Sequence, residues 1–353
     1  MTNEKTKVKN ERSAAELFRE FIDDLQRENT YRFSSPWRPK GSLSIVVPII
    51  QTGDPKSRKY ITLQETENLT ITDSGSIGGV KVTNKGEAPI FLKIGSILRG
   101  IGTQSRAVNK SMFIEAGKTV DVTVNCVHAS HGIRRGSSFS SEPDLTSPAF
   151  VEAALLRSEQ REVWARVSHY SRLRSRMGGS ARDRADLIGS SDNLVRELGL
   201  GDTFAKIIEE ITKEVPTHEG QVGIVVLDEN GVYGLEMFDS PESWKALSKG
   251  MMNKFGEIIV RKVDEKIIDV RVNAEKVKEG IIKFLSMVRE SRHSSNIENN
   301  ATVIRIHDKS SYGELVFYKG EFVHLTAIRN DDERLKTGSV GVPADIARAM
   351  LRR

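Results

Sequence analysis

The run from Ile90 to Val127 reads IFLKIGSILRGIGTQSRAVNKSMFIEAGKTVDVTVNCV and decides the fold of the chain. Short apolar stretches follow one another here, and the joints between them are too short to hold a crossover helix. Similar stretches precede the run, and together the strand-like segments cover residues 43–50, 69–72, 80–83, 90–98, 104–114 and 120–127. The pattern predicts a β-rich subdomain of antiparallel character over residues 42–130.

The segments on both sides of this subdomain have helical or mixed patterns. Ser13 followed by Glu16 makes a capping box and predicts a short helix within an N-terminal segment, residues 1–41. Helical spacing over 149–176 and 192–215 predicts an Arg-rich loop and helical segment, residues 131–216. An Asn230-Gly231 turn opens an α+β subdomain, residues 217–330. For residues 331–353 we expect a linker and a short helix that binds a protein partner.

These segments predict an α+β protein, with an antiparallel β-rich N-terminal part packed on a mixed helical and β-hairpin C-terminal part. The 353 residues carry 53 Lys and Arg against 48 Asp and Glu, an excess too small to indicate nucleic-acid binding by itself. The first residues are charged, and no apolar run has the length of a membrane helix. We therefore expect a cytoplasmic protein without a membrane partner.

Anion-binding side chains concentrate between Ile94 and Arg135. Arg106, Arg134 and Arg135 offer planar guanidinium groups that suit phosphate or carboxylate, and nearby glycines would let a ligand approach the main chain. The alternative is that the glycines mark a bulge or a barrel corner and that the arginines face water.

Cys126 is the single cysteine of the chain, so an intramolecular disulfide is excluded. It shares a strand face with Val122 and Val124, which favours a buried, inert thiol. As a nucleophile it would need a neighbour that lowers its pKa, and His128 has the same parity along the strand. Adding His131 gives three potential ligands, but the spacing is not a recognised zinc pattern, so we predict no metal site.

Two features of the helical segment allow a functional and a structural interpretation. Gln160 and Trp164 are four residues apart and share a helix face, so they either line a pocket or pack in the core. Residues 157–184 hold eight arginines against three acids, a local net charge of +5. This arginine run, with Arg166, Arg172, Arg174 and Arg176, either follows a nucleic-acid backbone or is a solvated helix end.

From Tyr60 to Arg329 the chain resembles the ARG and Rhodanese-Phosphatase-superfamily-associated Protein (ARPP) domain family, in which ARG stands for ADP-ribosylglycohydrolase. The matching positions occur in the family's order and are Gly95, Leu98, Gly100, Gln104, Arg106, Cys126, Val127, Gly132, Arg134, Gln160, Val163 and Trp164. The chain departs at His128, where the family more often has an acid. The resemblance implies a nucleotide-like ligand, related to ADP-ribose or NAD, in a stress or defence setting.

The leading hypothesis is therefore a domain that recognises or processes a nucleotide-like anion. Arg106 and Arg134 would hold the charge, and Gln160 would orient the ligand. Further candidates for ligand binding are Gln104, Gly132, Arg135 and Trp164. Cys126 and His128 are the candidate reactive pair. The sequence specifies neither turnover nor a cofactor, and it contains no Walker loop, dinucleotide fingerprint, HExxH or GxSxG. The alternatives are a nucleic-acid-binding protein and a non-catalytic scaffold.

Overall fold

The computed structural model describes residues 13–39, 42–53, 57–128, 132–178, 194, 210, 213, 215–259 and 272–330. The expected C-terminal linker and helix lie outside the described residues, as does nearly all of the expected helix over 192–215. Within the described part, no helix is long and apolar enough to cross a membrane.

Most of the described helices and strands lie in segments where the sequence pattern predicts them. The helices are α1 (Ala14–Gln26), α2 (Ala149–Arg157), α3 (Gln160–Gly178), α4 (Pro241–Ile259) and α5 (Ala274–Glu290), with a 3-10 turn at Leu63–Glu65. The strands are β1 (Tyr31–Phe33), β2 (Ile45–Gln51), β3 (Ile61–Thr62), β4 (Leu69–Ser76), β5 (Gly79–Asn84), β6 (Ile90–Leu92), β7 (Ser96–Gly100), β8 (Arg106–Val108), β9 (Met112–Ile114), β10 (Thr119–Cys126), β11 (Phe139–Thr146), β12 (Gln221–Asp228), β13 (Gly231–Phe238), β14 (His293–Glu298), β15 (Ala301–His307), β16 (Ser311–Tyr318) and β17 (Glu321–Arg329).

An eight-stranded antiparallel sheet forms the centre of the molecule, in the order β1-β2-β12-β13-β17-β16-β15-β14. All eight residues of β12 are buried, because helices cover both faces of the sheet. Helices α1 and α5 pack on one face and α4 on the other. Strand β2 pairs with β12, so β2 belongs to the same sheet as the later strands β12 to β17.

A second sheet, in the order β11-β7-β8-β10-β5-β4, closes into a barrel. Its two edge strands meet at an isolated bridge between Thr72 and Ser138, and the Asp73 N–H donates to the Ser137 carbonyl at 2.8 Å. Alternate residues point inward, including Val80, Val82, Val122 and Val124, and form the barrel core. The prediction of an α+β fold with antiparallel sheets is confirmed.

Two predicted strands and one predicted helix are each divided into two elements in the structure. Gly95 interrupts the 90–98 strand with φ +80°, and a Cβ there would lie 2.7 Å from Ser147 Oγ, so only glycine permits the close approach of α2. Residues 109–111 divide the 104–114 strand, so β6 and β9 leave the barrel and join β3 in a small sheet. Ser158, with φ +58°, ends α2 and separates it from α3.

Candidate functional site

Three loops meet at one end of the barrel. Strands β4, β7 and β10 run in the same direction, because β5 is antiparallel to both β4 and β10, and β8 is antiparallel to both β7 and β10. The carboxyl ends of β4, β7 and β10 therefore lie together. We call this surface the loop end; it consists of residues 74–78, 101–105 and 127–138, of which 129–131 lie outside the described residues.

A buried carboxylate, Asp73, joins these loops. One of its oxygens accepts from Thr103 Oγ1 at 2.6 Å and from Arg106 Nη2 at 3.4 Å, and the other accepts from the Gly75 N–H at 2.7 Å. Asp73 was not among the residues predicted from the sequence. A signal was present, because Asp73 has the parity of Ile71 in β4 and so faces the barrel interior, where an acid needs a partner.

Arg106 is that partner and is fully buried, with 0% of its surface exposed. Its Nη1 donates to Gln104, at 3.2 Å to the carbonyl and 3.0 Å to Oε1, while Nε is buried without a hydrogen-bond partner. Asp73 thus neutralises the guanidinium that the sequence analysis expected to hold an anion. Arg106 organises the base of the loop end and does not present its charge to solvent.

Cys126 lies beside the same group and is also fully buried. Its thiol donates to Gln104 Oε1 at 2.8 Å and to the carbonyl of His128 at 3.2 Å. Burial raises the pKa of the thiol, although the His128 main chain, Arg106 and the Trp164 indole act in the opposite direction. The thiol is therefore a neutral hydrogen-bond donor near pH 7, and these contacts with His128 run through its main chain rather than its imidazole.

Gln160, at the start of α3, binds the main chain of the last β10 residues. Its Nε2 donates to the Cys126 carbonyl at 2.7 Å, and its Oε1 accepts from the Cys126 N–H at 2.8 Å and from Asn125 Nδ2 at 3.4 Å. The amide thus replaces a neighbouring strand and fixes α3 against the barrel. Gln104, Arg106, Cys126 and Gln160 lie close together, but their polar groups mainly bind one another.

The loop that carries Gly132, Arg134 and Arg135 is the solvent-facing part of the site. The Arg134 N–H donates to Thr103 Oγ1 at 3.1 Å, and the Gly136 N–H donates to the Asp73 carbonyl at 2.9 Å. The Arg135 side chain packs over Gly75, where a Cβ would lie 3.1 Å from Arg135 Cβ. Arg134 and Arg135 are exposed, and among the described residues their guanidinium groups have no ion-pair or hydrogen-bond partner.

The arginine run offers less exposed positive charge than expected, because two of its arginines are paired with an acid. Arg166 is buried and lies 3.4 Å from Glu162, which also pairs with Arg157 at 2.8 Å. Burial lowers the pKa of Arg166. The side chains of Arg172, Arg174 and Arg176 lie outside the described residues, as does His131. Within the described residues, no group of His, Cys, Asp and Glu is arranged to hold a metal ion.

A second polar group lies between α2, α4 and the central sheet, and the sequence analysis did not find it. We call it the ionic cluster; its members are Lys93, Glu152, Glu236, Lys254 and His324, all buried. Lys254 donates to Glu152 at 2.8 Å and also to Glu236. Lys93 lies 3.2 Å from Glu236 and 3.6 Å from Glu152, and His324 Nε2 lies 2.7 Å from Glu236.

The charges of the ionic cluster stabilise one another. Burial alone would raise the pKa of Glu236, but Lys254, Lys93 and His324 outweigh it and hold this pKa well below its ordinary value. Burial would lower the pKa of Lys93, but Glu152 and Glu236 reverse that effect and raise it. The members come from four separate helices and strands and from the β6–β7 connection, so the sequence shows only isolated charges within apolar stretches such as GLEMF and FVHLT.

The geometry defines a class: an α+β protein in which a closed antiparallel barrel presents glycine-rich, arginine-bearing loops above a buried Asp–Arg pair. A family model matches residues 30–328, and the chain belongs to the ARG and Rhodanese-Phosphatase-superfamily-associated Protein domain family, ARPP-1. The family assignment made from the sequence is confirmed. No curated protein and no solved structure matches the chain.

Proposed function

We propose that the loop end recognises a nucleotide-like anionic ligand, and that Arg134 and Arg135 bind its phosphates. One observation supports this most directly: the two guanidinium groups are exposed and without a partner among the described residues, on a loop that hydrogen bonds to Thr103 and Asp73. Guanidinium groups bind phosphate oxygens in pairs of parallel hydrogen bonds. An anchored loop also loses little conformational entropy when a ligand binds.

The main chain of the loop end supports the same proposal. Gly102 and Gly132 have no atom within 4 Å of the position that a Cβ would take. Glycine leaves the neighbouring peptide N–H groups accessible, and such groups add partial positive charge to an anion site. Phosphate oxygens can therefore approach the main chain beside the arginines.

The buried residues have a positioning role in this proposal. Arg106 holds Asp73, and Asp73 holds Thr103 and the main chain of the Arg134 loop. Gln104 and Cys126 fill the space beneath, Gln160 fixes α3 against β10, and the Trp164 indole lies near the Cys126 thiol. A neutral, buried thiol gives no support to a nucleophilic Cys126–His128 pair, so we propose recognition of the ligand rather than its turnover.

ADP-ribose and NAD-related compounds are the first ligands to test, because the family name connects the domain with ADP-ribosylglycohydrolase. A role in a stress or defence setting follows from the same connection and is part of the proposal. The described residues supply no observation that favours a nucleic-acid-binding protein or a scaffold over this function.

Thermal-shift and calorimetric titrations with ADP-ribose, NAD and ADP test the proposal. We expect stabilisation of the wild type, and a loss of affinity of at least about tenfold in the Arg134→Ala, Arg135→Ala double variant. Arg32→Ala, at an exposed arginine of β1, is the matched control and should bind as the wild type does. Absence of binding by the wild type to all three compounds would overturn the proposal.

A further inference from the structure

Exposed isoleucines surround the arginines of the loop end. Among the described residues, the exposed large hydrophobic side chains are Ile77 at 40%, Ile101 at 59%, Ile133 at 39% and Ile297 at 74%. Ile297 lies on β14, at an edge of the central sheet. The other three lie one to each loop of the loop end, and each has a glycine neighbour, in the triplets Ser-Ile-Gly, Gly-Ile-Gly and Gly-Ile-Arg.

Main-chain contacts bring these isoleucines close to the arginines. The Ile101 N–H donates to the Ser138 carbonyl at 2.9 Å, so Ile101 lies against the loop that carries Arg134. Ile133 precedes Arg134 in the chain, and Ile77 follows Gly75, over which Arg135 packs, by two residues. Positive charge and exposed apolar side chains therefore lie on the same end of the barrel.

We propose that the ligand of the loop end carries a flat apolar ring beside its phosphates, and that Ile101 and Ile133 contact this ring. The ligand class is then a nucleoside diphosphate or a dinucleotide. The proposal rests on the function proposed above. A simple phosphate would use only the arginines and the peptide N–H groups, whereas a nucleobase also removes isoleucine surface from water, which is favourable in proportion to the area covered.

An acidic bilayer would also combine phosphate with apolar surface, but the loop composition does not favour it. Segments that bind membrane interfaces combine several Lys and Arg residues with Trp, Tyr, Phe or Leu side chains, whereas the loop end has two arginines. Residues 74–78, 101–105 and 127–138 contain no Lys, Trp, Tyr or Phe. Hydrogen bonds with Asp73 and Thr103 also hold the described part of the 127–138 loop against its neighbours. This geometry suits a small rigid ligand.

Calorimetric titrations with pyrophosphate and ADP separate the two contributions. We expect the wild type to bind ADP more tightly than pyrophosphate. The Ile101→Ser, Ile133→Ser double variant should lose about tenfold in ADP affinity and change less than about twofold for pyrophosphate. Ile297→Ser removes a still more exposed isoleucine, on the edge strand β14 of the central sheet, and should change neither affinity. Thermal unfolding of each variant confirms that the fold is intact.

The outcomes are distinguishable. If the double variant binds ADP as tightly as the wild type, or loses ADP and pyrophosphate equally, the ring contact is refuted while anion recognition stands. If the wild type binds neither compound, the proposed function fails, and this inference fails with it. If the wild type binds phosphatidylserine vesicles in an isoleucine-dependent way and does not bind ADP, the surface belongs to a membrane and the inference is overturned.

Discussion

Lys254→Met tests whether paired charges hold the ionic cluster together. The substitution removes the ammonium group that donates to Glu152, Glu236 and Thr326 and keeps a side chain of similar length. Lys93, at 3.2 Å from Glu236 and 3.6 Å from Glu152, is then the one lysine left in the ionic cluster, beside His324. Removing one partner of a buried ion pair costs about 3–5 kcal/mol. We therefore expect the free energy of unfolding at pH 7 to fall by about 4 kcal/mol.

A double-mutant cycle with Glu152→Gln separates charge from packing. Glu152 has lost its closest cationic partner in Lys254→Met, so neutralising it should recover part of the stability. We expect the double variant to be more stable than additivity predicts by at least about 1.5 kcal/mol. Urea unfolding at pH 7, followed by tryptophan fluorescence, gives the four free energies. Lys245→Met, at an exposed lysine of the same helix, is the control and should change stability by less than about 0.5 kcal/mol.

The result that refutes this reasoning is specific. If Lys254→Met costs less than about 1 kcal/mol, or if the two substitutions are additive, the buried carboxylates do not depend on Lys254. The ionic cluster would then be a set of independent contacts.

Three further predictions concern stability and accessibility. Glu236 has a pKa well below its ordinary value of 4.5, so its contribution to stability is present above that pH and lost as the pH falls through the folded-state pKa. Glu236→Gln should therefore flatten the decline of urea-derived stability below pH 4.5, and an unchanged profile would contradict this. Gly95→Ala should cost about 2–3 kcal/mol and Gly102→Ala about 1 kcal/mol, because both have positive φ but only Gly95 is crowded; equal losses in thermal unfolding would count against the close approach of α2. Cys126 should not react with a thiol reagent at pH 8 in the native state and should react fully in urea; rapid labelling of the native protein would show that the thiol is accessible.

The local pattern of the sequence was sufficient for the fold class. Alternation of apolar residues predicted the barrel strands, and the capping box at Ser13 and Glu16 is present at the start of α1. Parity along β10 predicted the buried position of Cys126. These features depend on neighbours a few residues apart, which is the range over which periodicity carries information.

Features that depend on distant contacts were not predictable in the same way. The break at Gly95 follows from the approach of Ser147 and Glu152, which are more than fifty residues away in the chain. Arg106 was predicted to bind the ligand, because nothing in the local sequence shows that Asp73 neutralises its guanidinium group. A buried charge can be suspected from its apolar neighbours, but its partner becomes known only from the fold.

The pairing of β2 with β12 affects the order in which this chain can fold. Ile50 is paired with Gln221, so the apolar strand IVVPIIQ is synthesised long before its partner. The whole barrel lies between them, and its strands pair over much shorter separations. Local pairings form faster than distant ones, so the barrel is expected to fold before β2 pairs with β12. During that time the edge of β2 that later pairs with β12 is open, although β1 can already pair with its other edge, and the newly made chain is prone to aggregation through this open hydrophobic edge.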